Sequence, residues 1–381
     1  MNRLRLRKYA EAVILLSCLF ALASSTMAFA ASGTWAATGA MRSARDGQSA
    51  TLLPSGKVLV AGGTNNGAAL TSAELYSPIA GTWASTGSMH VARTLARSVL
   101  LANGSVLVLG GCVNDCLSAT TNSAEIYNPA TGSFTVTGSM LQARAEFAIT
   151  LLANGQVLVA GGCTAYDANG CIGTTTKAEI YTPSTGTWKA TGALRAARHA
   201  MTATLLASGK VLVAGGATGA SDALISSELY DPTTRIWTLG ARMVQARSDY
   251  ASIMLPGGKV LFMGGENING VSIRNAELYN PFSGTFTATG SMVASREEHT
   301  AVLLANGSVL ASGGNRLTLT TSTPLASAET YNPATGTWTT TGSMSNARSG
   351  HTSTVLTNGF VLNTGGSNAL NELNSAELYT P

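Results

Sequence analysis

Residues 45–83 read RDGQSATLLPSGKVLVAGGTNNGAALTSAELYSPIAGTW, and this stretch decides the fold because the chain repeats its pattern seven times. Each copy contains an arginine, a short apolar run, a glycine doublet, a Glu-x-Tyr triplet and a proline, and an aromatic residue follows the proline in every copy except the last. Self-similarity at a period near 50 residues indicates repeated supersecondary units, each too small to bury its own apolar face. The doublets are Gly62-Gly63, Gly110-Gly111, Gly161-Gly162, Gly215-Gly216, Gly264-Gly265, Gly313-Gly314 and Gly365-Gly366.

The length of the repeats varies at one place only. From each glutamate of the triplet to the next doublet the distance is always 36 residues, whereas 10 to 16 residues separate a doublet from the glutamate that follows it. We call this second segment the variable loop. Loops that tolerate insertion lie on the surface and often carry function.

Each unit is predicted to form four short strands. In the first unit these are Gln48 to Leu53, Lys57 to Ala61, Ala73 to Tyr76 and Thr82 to Thr86. Short runs rich in β-branched residues and bounded by Gly, Pro and Asn are typical of strands joined by tight turns.

The glycine doublet, the spaced tyrosine and the tryptophan together resemble the kelch repeat, from about residue 34 to the C-terminus. Phe134 and Phe286 replace the tryptophan in two copies, which keeps an aromatic residue for packing. The resemblance implies an all-β, seven-bladed β-propeller of the galactose-oxidase-type superfamily, with one four-stranded blade per repeat and the first strand innermost.

The seventh repeat ends at Pro381 and lacks its fourth strand. Residues 33–39 closely match residues 336–342, which include the fourth strand of the sixth repeat. We therefore expect the N-terminal strand to complete the last blade and close the ring, since closure removes an open sheet edge.

Residues 1–30 are typical of a secretory signal: a basic start, an apolar stretch and a small-x-small site at Ala28-Phe29-Ala30. The expected domains are thus a signal peptide, 1–30, and a propeller, 31–381, that is exported to the periplasm, the medium or the cell surface. A lipid anchor on Cys18 is the alternative to free secretion. No later stretch has transmembrane length.

The propeller segment has 19 basic and 18 acidic residues, so its charge is nearly balanced. This balance argues against nucleic acid or an anionic membrane as the partner. We expect a glycan or protein ligand and a monomeric chain.

Four cysteines fall in two neighbouring variable loops: Cys112 and Cys116 in one, Cys163 and Cys171 in the next. An even number of cysteines in an exported protein favours disulfides, and we expect local pairing within each loop. Zinc is the alternative, although the spacing of Cys163 and Cys171 is too wide for the usual knuckle. No metal site is assigned.

One arginine and one glutamate recur in every repeat. They either line the channel to hold an anion or, as we expect, form structural pairs at the blade junctions, because functional sites seldom recur in every repeat. The arginines are Arg45, Arg93, Arg144, Arg198, Arg247, Arg296 and Arg348, and the glutamates are Glu74, Glu125, Glu179, Glu228, Glu277, Glu329 and Glu377.

The third position after each arginine differs between repeats and should lie near the channel mouth, because it falls on the innermost strand. It reads Gln48, Ala96, Phe147, Met201, Tyr250, His299 and His351. Asp249 adjoins Tyr250, and Glu297 and Glu298 precede His299, so Tyr, His and acid side chains could bind a ligand or perform acid–base work. In the simpler interpretation they are packed side chains of ordinary kelch sequence. The ligand-binding candidates are Tyr250, His299, His351, Asp249, Glu298 and Gln48.

The resemblance extends to galactose oxidase, a copper-radical enzyme, so copper must be considered. Such a site needs two histidines, two tyrosines and a cysteine crosslinked to one tyrosine. No Tyr–Cys pair can be placed beside His299 and His351, so we expect no copper chemistry and no cofactor. The glycine doublets also lack the Lys-Ser/Thr of a phosphate-binding loop.

Two function classes remain. The first is an exported binding module that presents its variable loops on one face of the propeller. The second is a carbohydrate-active enzyme, mutarotase- or lyase-like, that uses the Tyr250, His299 and His351 side of the channel. Uniform repeats and the lack of a catalytic motif favour the binding module, and no catalytic residue is assigned.

Overall fold

The computed structural model describes residues 32–381, apart from positions 115, 118, 169, 220 and 221. These residues form seven four-stranded antiparallel sheets, one for each sequence repeat. The described part contains no helix, so none of it forms a membrane-spanning helix. The predicted seven-bladed propeller is confirmed. Residues 1–30, with the predicted signal peptide and Cys18, lie outside the described residues.

The blades are numbered in chain order, and their strands are as follows. Blade 1 contains Ser49–Leu52, Val58–Ala61, Ala73–Ser77 and Thr82–Ser85; blade 2 contains Arg97–Leu100, Val106–Leu109, Ala124–Asn128 and Ser133–Val136. Blade 3 contains Ala148–Leu151, Val157–Ala160, Ala178–Thr182 and Thr187–Ala190; blade 4 contains Ala203–Leu205, Val211–Ala214, Ser227–Asp231 and Ile236–Leu239. Blade 5 contains Ala251–Met254, Val260–Met263, Ala276–Asn280 and Thr285–Thr289; blade 6 contains Thr300–Leu303, Val309–Ser312, Ala328–Asn332 and Thr337–Thr340. Blade 7 contains Thr352–Val355, Val361–Thr364, Ala376–Thr380 and, from the N-terminus, Thr34–Thr38.

Short hairpins extend four of the variable loops. They pair Thr64–Asn65 with Ala68–Ala69, Cys112–Val113 with Ala119–Thr120, Cys163–Asp167 with Gly170–Thr174, and Asn315–Leu317 with Ser322–Pro324.

The first strands of the seven blades contact one another in a closed ring around a central channel. The second strands are fully buried, and their side chains pack between blades: Leu107 and Leu109 of blade 2 share a cluster with Val157 and Val159 of blade 3. The core is therefore a series of interfaces between neighbours, as expected for units that cannot bury an apolar face alone.

The N-terminal strand closes the ring as predicted. Thr34–Thr38 pairs antiparallel with Ala376–Thr380, and this places Trp35 opposite Tyr379 with ring centroids 5.1 Å apart. The Gly33 amide donates to the Thr380 carbonyl at 2.7 Å, so the two ends of the described chain are neighbours. Trp35 Nε1 also donates to the carbonyl of Gly342 in blade 6, which ties the closing strand to the preceding blade.

The repeated arginines join consecutive blades. The carbonyl of Arg93 accepts the amide of Gly63 in blade 1, while its guanidinium bonds the Gly110 carbonyl and Glu125 in blade 2. All seven arginine side chains are fully buried, and each lies 2.6 to 3.0 Å from the glutamate of the blade it enters. These glutamates also accept backbone amides, as Glu277 does from Val244 and Gln245.

The glycine doublets allow this close approach. Gly62 and Gly63 have φ of 70° and 91°, a region that side chains disfavour. A Cβ at Gly62 would lie 2.5 Å from the Arg93 carbonyl oxygen, so only glycine fits at this junction.

Candidate functional site

The variable loops and the segments that enter the blades lie at the same end of the channel. In every blade, the residue after the arginine forms a β-bridge with the residue after the glycine doublet; Asp46 with Thr64 is one case and Glu297 with Asn315 another. Strand direction alternates within a blade, so the turns between first and second strands lie at the opposite end. The molecule thus has a variable-loop face and an opposite face of short turns.

A ring of left-handed residues surrounds the channel on the variable-loop face. It consists of the second residue after each arginine, and all seven have φ between 49° and 63°: Gly47, Leu95, Glu146, Ala200, Asp249, Glu298 and Gly350. Five are not glycine, and such a conformation costs roughly 1–3 kcal/mol each, a form of strain that clusters at functional sites. The ring is held by amide-to-carbonyl hydrogen bonds between neighbours, such as Glu298 to Asp249 at 3.0 Å and Asp249 to Ala200 at 3.1 Å.

The ring lines a central cavity of about 630 Å³. Three of its seven residues, Glu146, Asp249 and Glu298, carry carboxylates, so this position supplies the acidic groups that line the cavity. Sequence reasoning selected Asp249 and Glu298 but not Glu146, because it concentrated on the next position along the chain. Gly and Asp both occur at the second position after the arginine, and both tolerate the left-handed conformation. This pattern could have indicated the ring from the sequence.

The third-position residues pack between blades. The Tyr250 hydroxyl donates to the Ala214 carbonyl, and Gln48 Nε2 donates to the Thr364 carbonyl at 2.8 Å. His351 Nε2 lies 2.9 Å from Thr300 Oγ1, and the His299 ring lies against Gly264. All four side chains border the cavity but are at least nine-tenths buried.

Burial lowers the pKa of His299 and His351 well below the usual value, and nearby arginines lower it further, so both rings are neutral. The structure therefore places Tyr250, His299 and His351 at successive blade junctions with the contacts of packed side chains. Their role in ligand binding stays a prediction.

The carboxylates on the blade 5 and blade 6 side form a cluster of like charges. Oxygens of Asp249, Glu266 and Glu297 all lie within 4.8 Å of one another, and Asn315 Nδ2 donates to Glu298 Oε2 at 3.1 Å. Sequence reasoning missed Glu266, which the variable loop of blade 5 brings beside Ser248.

This crowding changes the proton affinity of the cluster. Burial, followed by repulsion from Glu146 and Glu266, raises the pKa of Asp249 to about 7. Burial, with repulsion from Glu298 and Asp249, raises the pKa of Glu297 to about 9. Glu298 is exposed to the cavity, yet protein surrounds it; this loss of bulk water and repulsion from Asp249 and Asp46 raise its pKa to about 8.

The other side of the cavity is neutralised. His199 Nδ1 lies 2.8 Å from Glu146 Oε2, and Arg97 adds a favourable charge interaction. Burial alone would raise the pKa of Glu146, but the hydrogen bond and the positive charge of His199 outweigh it and lower the pKa. Burial likewise opposes protonation of His199, whose pKa is nevertheless raised by Glu146.

The cysteines form the two predicted disulfides, Cys112–Cys116 and Cys163–Cys171, each within one variable loop. Bonded in this way, the four sulfurs are not free to hold zinc.

Comparison with known proteins agrees with the fold. The model of the Kelch motif family matches residues 50–90 and 93–141, within the first two repeats. No curated protein matches the sequence. Among solved structures, the chain is similar to one described as a novel fungal alcohol oxidase with catalytic diversity among the AA5 family, in complex with copper. The TM-score is 0.72 at 18% identity, covering 92% of this chain and 76% of that chain, and so the likeness concerns the fold. The seven closed blades define a β-propeller, and its first two repeats match the Kelch motif.

The described residues do not fit a copper-radical site. All four described cysteines are in disulfides, so none can be crosslinked to a tyrosine. His199 Nδ1 is engaged by Glu146, and His90 Nδ1 lies 2.9 Å from Glu125 Oε2.

Proposed function

We propose that this chain is an exported binding module that takes its ligand on the variable-loop face, over the central cavity. Kelch repeats are typical of binding modules, and the two disulfides are consistent with an oxidising compartment. The observation that carries the proposal is a contrast between two nearby positions of each repeat, one constant and one variable. The arginine is the same in every blade, whereas the residue two places later, on the cavity, changes from blade to blade.

The contrast between the two faces supports this choice of surface. Variation in length, both disulfides and the carboxylates of the cavity all occur on the variable-loop face. The turns on the opposite face are short and follow nearly one pattern, as at Ala102-Asn103-Gly104 and Ala305-Asn306-Gly307. Variable loops on a rigid scaffold are the usual location of binding residues.

A carbohydrate-active enzyme is the second candidate, and one observation favours it. Asp249 and Glu298 are neighbours in the ring, and their pKa values of about 7 and 8 suit proton transfer near neutral pH. In this alternative the two carboxylates, rather than Tyr250, His299 and His351, would perform the acid–base work.

A glycan array and a displayed random-peptide library, each applied to the purified protein with and without Ca²⁺, would test the proposal. Bound glycans or peptides should be lost from the Asp249→Asn/Glu298→Gln variant and retained by Asp231→Asn. Asp231 is a matched control because it ends the third strand of blade 4 at the opposite face. Binding that tolerates the cavity variant would show that the face is wrong, and release of a modified sugar would favour the enzyme.

A further inference from the structure

The tips of the variable loops carry exposed aliphatic side chains. Five of the seven loops present one large aliphatic residue with more than half of its surface exposed: Leu117, Ile172, Ile268, Leu319 and Leu370. We call these five residues the apolar rim. On the opposite face, the described turns and the strand ends beside them expose large apolar side chains at Ile79, Ile236 and Phe282, in blades 1, 4 and 5. Exposed apolar residues that collect on one face indicate an interaction surface.

The rim lies on the same face as a cavity whose charge is uneven. Glu146 is compensated by His199 and Arg97. Asp249, Glu266, Glu297 and Glu298 have only His199 as a positive group among their principal electrostatic neighbours in the described residues. The carboxyl-rich side of the cavity therefore lies towards blades 5 and 6, whose variable loops carry the rim residues Ile268 and Leu319, and a bound cation would favour the ionised form of these carboxyl groups.

We infer that the ligand is a polypeptide that inserts a lysine or arginine side chain into the cavity and lays flanking apolar residues on the rim. This inference rests on the proposed function, because it names the ligand class for the same face. A long cationic side chain complements the carboxylates of blades 5 and 6, and charge complementarity of this kind gives specificity. A cavity of about 630 Å³ has room for one such side chain with water.

The rim favours a polypeptide over a glycan. Leucine and isoleucine offer apolar contact but no ring face for a sugar to stack on. Each tryptophan of the described chain packs against a tyrosine of the neighbouring strand, as Trp237 does against Tyr230. These pairs lie in the outer part of the blades, away from the rim.

The test begins with a displayed random 12-residue library selected on the purified protein at low salt. The expected consensus is one lysine or arginine flanked by leucine, isoleucine, valine or phenylalanine. A synthetic peptide with that consensus should bind at least tenfold more weakly when its basic residue is changed to glutamine. Its affinity should fall at least tenfold with the Asp249→Asn/Glu298→Gln variant and measurably with Leu319→Ser/Leu370→Ser.

Matched controls come from the opposite face. Asp231→Asn removes a carboxylate and Ile79→Ser/Phe282→Ser removes two exposed apolar side chains there, and each should leave the affinity within twofold. Loss of binding only in these controls would overturn the proposed function, since the ligand would then sit on the other face.

Three other outcomes would overturn the polypeptide inference alone. One is the enrichment of peptides without a basic residue, or of none. Another is glycan binding that depends on Asp249 and Glu298, since the ligand would then be a glycan on the proposed face. The third is stabilisation by Ca²⁺, seen as a raised melting temperature that Asp249→Asn abolishes, because the cluster would then be a metal site.

Discussion

Two sets of carboxylates in this molecule are surrounded by protein. Those at the blade junctions are paired with arginines, whereas those at the cavity near blades 5 and 6 are not. Glu277 accepts Arg247 Nη2 at 2.7 Å and two backbone amides, so its charge is compensated. Glu297 and Glu298 follow directly after a junction arginine, Arg296, but that arginine turns to Glu329 at 2.9 Å. Their charged neighbours include each other and Asp249, and Glu298 accepts a hydrogen bond from the neutral Asn315.

The difference separates scaffold from site. At the junctions, hydrogen bonds can outweigh burial, and for Glu125 they hold the pKa below its usual value. In the cavity, burial and like charges act together, and they raise the pKa of three carboxylates to between about 7 and 9. Unfavourable electrostatics of this kind are typical of positions kept for a ligand rather than for stability.

The largest effect should come from opening the ring on which both sets depend. Deleting residues 31–40 removes the strand Thr34–Thr38 and exposes the edge of Ala376–Thr380 in blade 7. We expect a strongly lowered melting temperature or aggregation, because an unpaired strand edge recruits other chains. Differential scanning calorimetry with light scattering would measure both, and an unchanged melting temperature would show that the closing strand is dispensable.

The next effect concerns a compensated carboxylate. Glu277→Ala leaves the fully buried Arg247 without its partner, at an expected cost of about 3–5 kcal/mol of unfolding free energy. Denaturant unfolding would measure this loss. Glu277→Gln is the control, since it keeps an oxygen that can accept the Val244 amide and should cost less than Glu277→Ala. A loss below about 1 kcal/mol for Glu277→Ala would contradict the structural role of the pair.

The carboxylates of the cavity should lower the stability of the folded protein when they ionise. The folded-state pKa values of Glu297 and Glu298 lie above those of an unfolded chain, so the folded protein holds protons that the unfolded chain has released. Stability should therefore fall as the pH rises from 7 to 9, by about 1 kcal/mol per pH unit for Glu297. His299 and His351 are neutral when folded, whereas His199, whose folded-state pKa is raised, adds a loss of stability of the same sign.

Unfolding experiments at pH 7, 8 and 9 would measure this slope. Glu297→Gln should reduce it and should stabilise the protein at pH 9. Asp231→Asn, which removes a partly exposed carboxylate outside the cavity, should leave the slope as it is. Stability that rises between pH 7 and 9 in the unmodified protein would refute the crowding of charges in the cavity.

The smallest effect should come from the loops, where neither set of carboxylates is involved. Changing Cys112 and Cys116 to serine opens a closed loop of only a few residues, so the loss should be at most about 2 kcal/mol. Peptide binding, by contrast, should weaken more than this loss implies if the disulfide positions the rim residue Leu117. Parallel unfolding and binding measurements would separate the two, and equal binding before and after the change would remove this loop from the site.

The sequence predicted the repeated parts of this protein well, because each repeat tests the prediction again. The blade count, the N-terminal closing strand and the two disulfides were all accessible from spacing and from the pairing of like motifs. The pairing of Arg93 with Glu125 was also accessible, since a residue type that recurs in every unit is most simply structural.

The cavity was harder to predict because its chemistry depends on which way one position faces. Asp249 and Tyr250 precede the first strand of blade 5, and Asp249 has a left-handed backbone conformation. The hydroxyl of Tyr250 is therefore held in the blade junction by the Ala214 carbonyl, while the Asp249 carboxylate lies on the cavity. Glu266 comes from a separate loop, and no periodicity of the sequence places it near Glu297. Contacts between loops of different blades arise only from the closed ring.

The non-covalent joint between the first and last strands has a consequence for engineering. Because Gly33 and Thr380 are hydrogen-bonded neighbours, a short linker could connect the two ends into a circular chain without moving a blade. New ends could then be opened at a turn such as Ala153-Asn154-Gly155, on the face away from the cavity. The chain could thus begin at a different blade and keep the same ring. Fusion partners attached at the new ends would lie on the opposite face and leave the variable loops free.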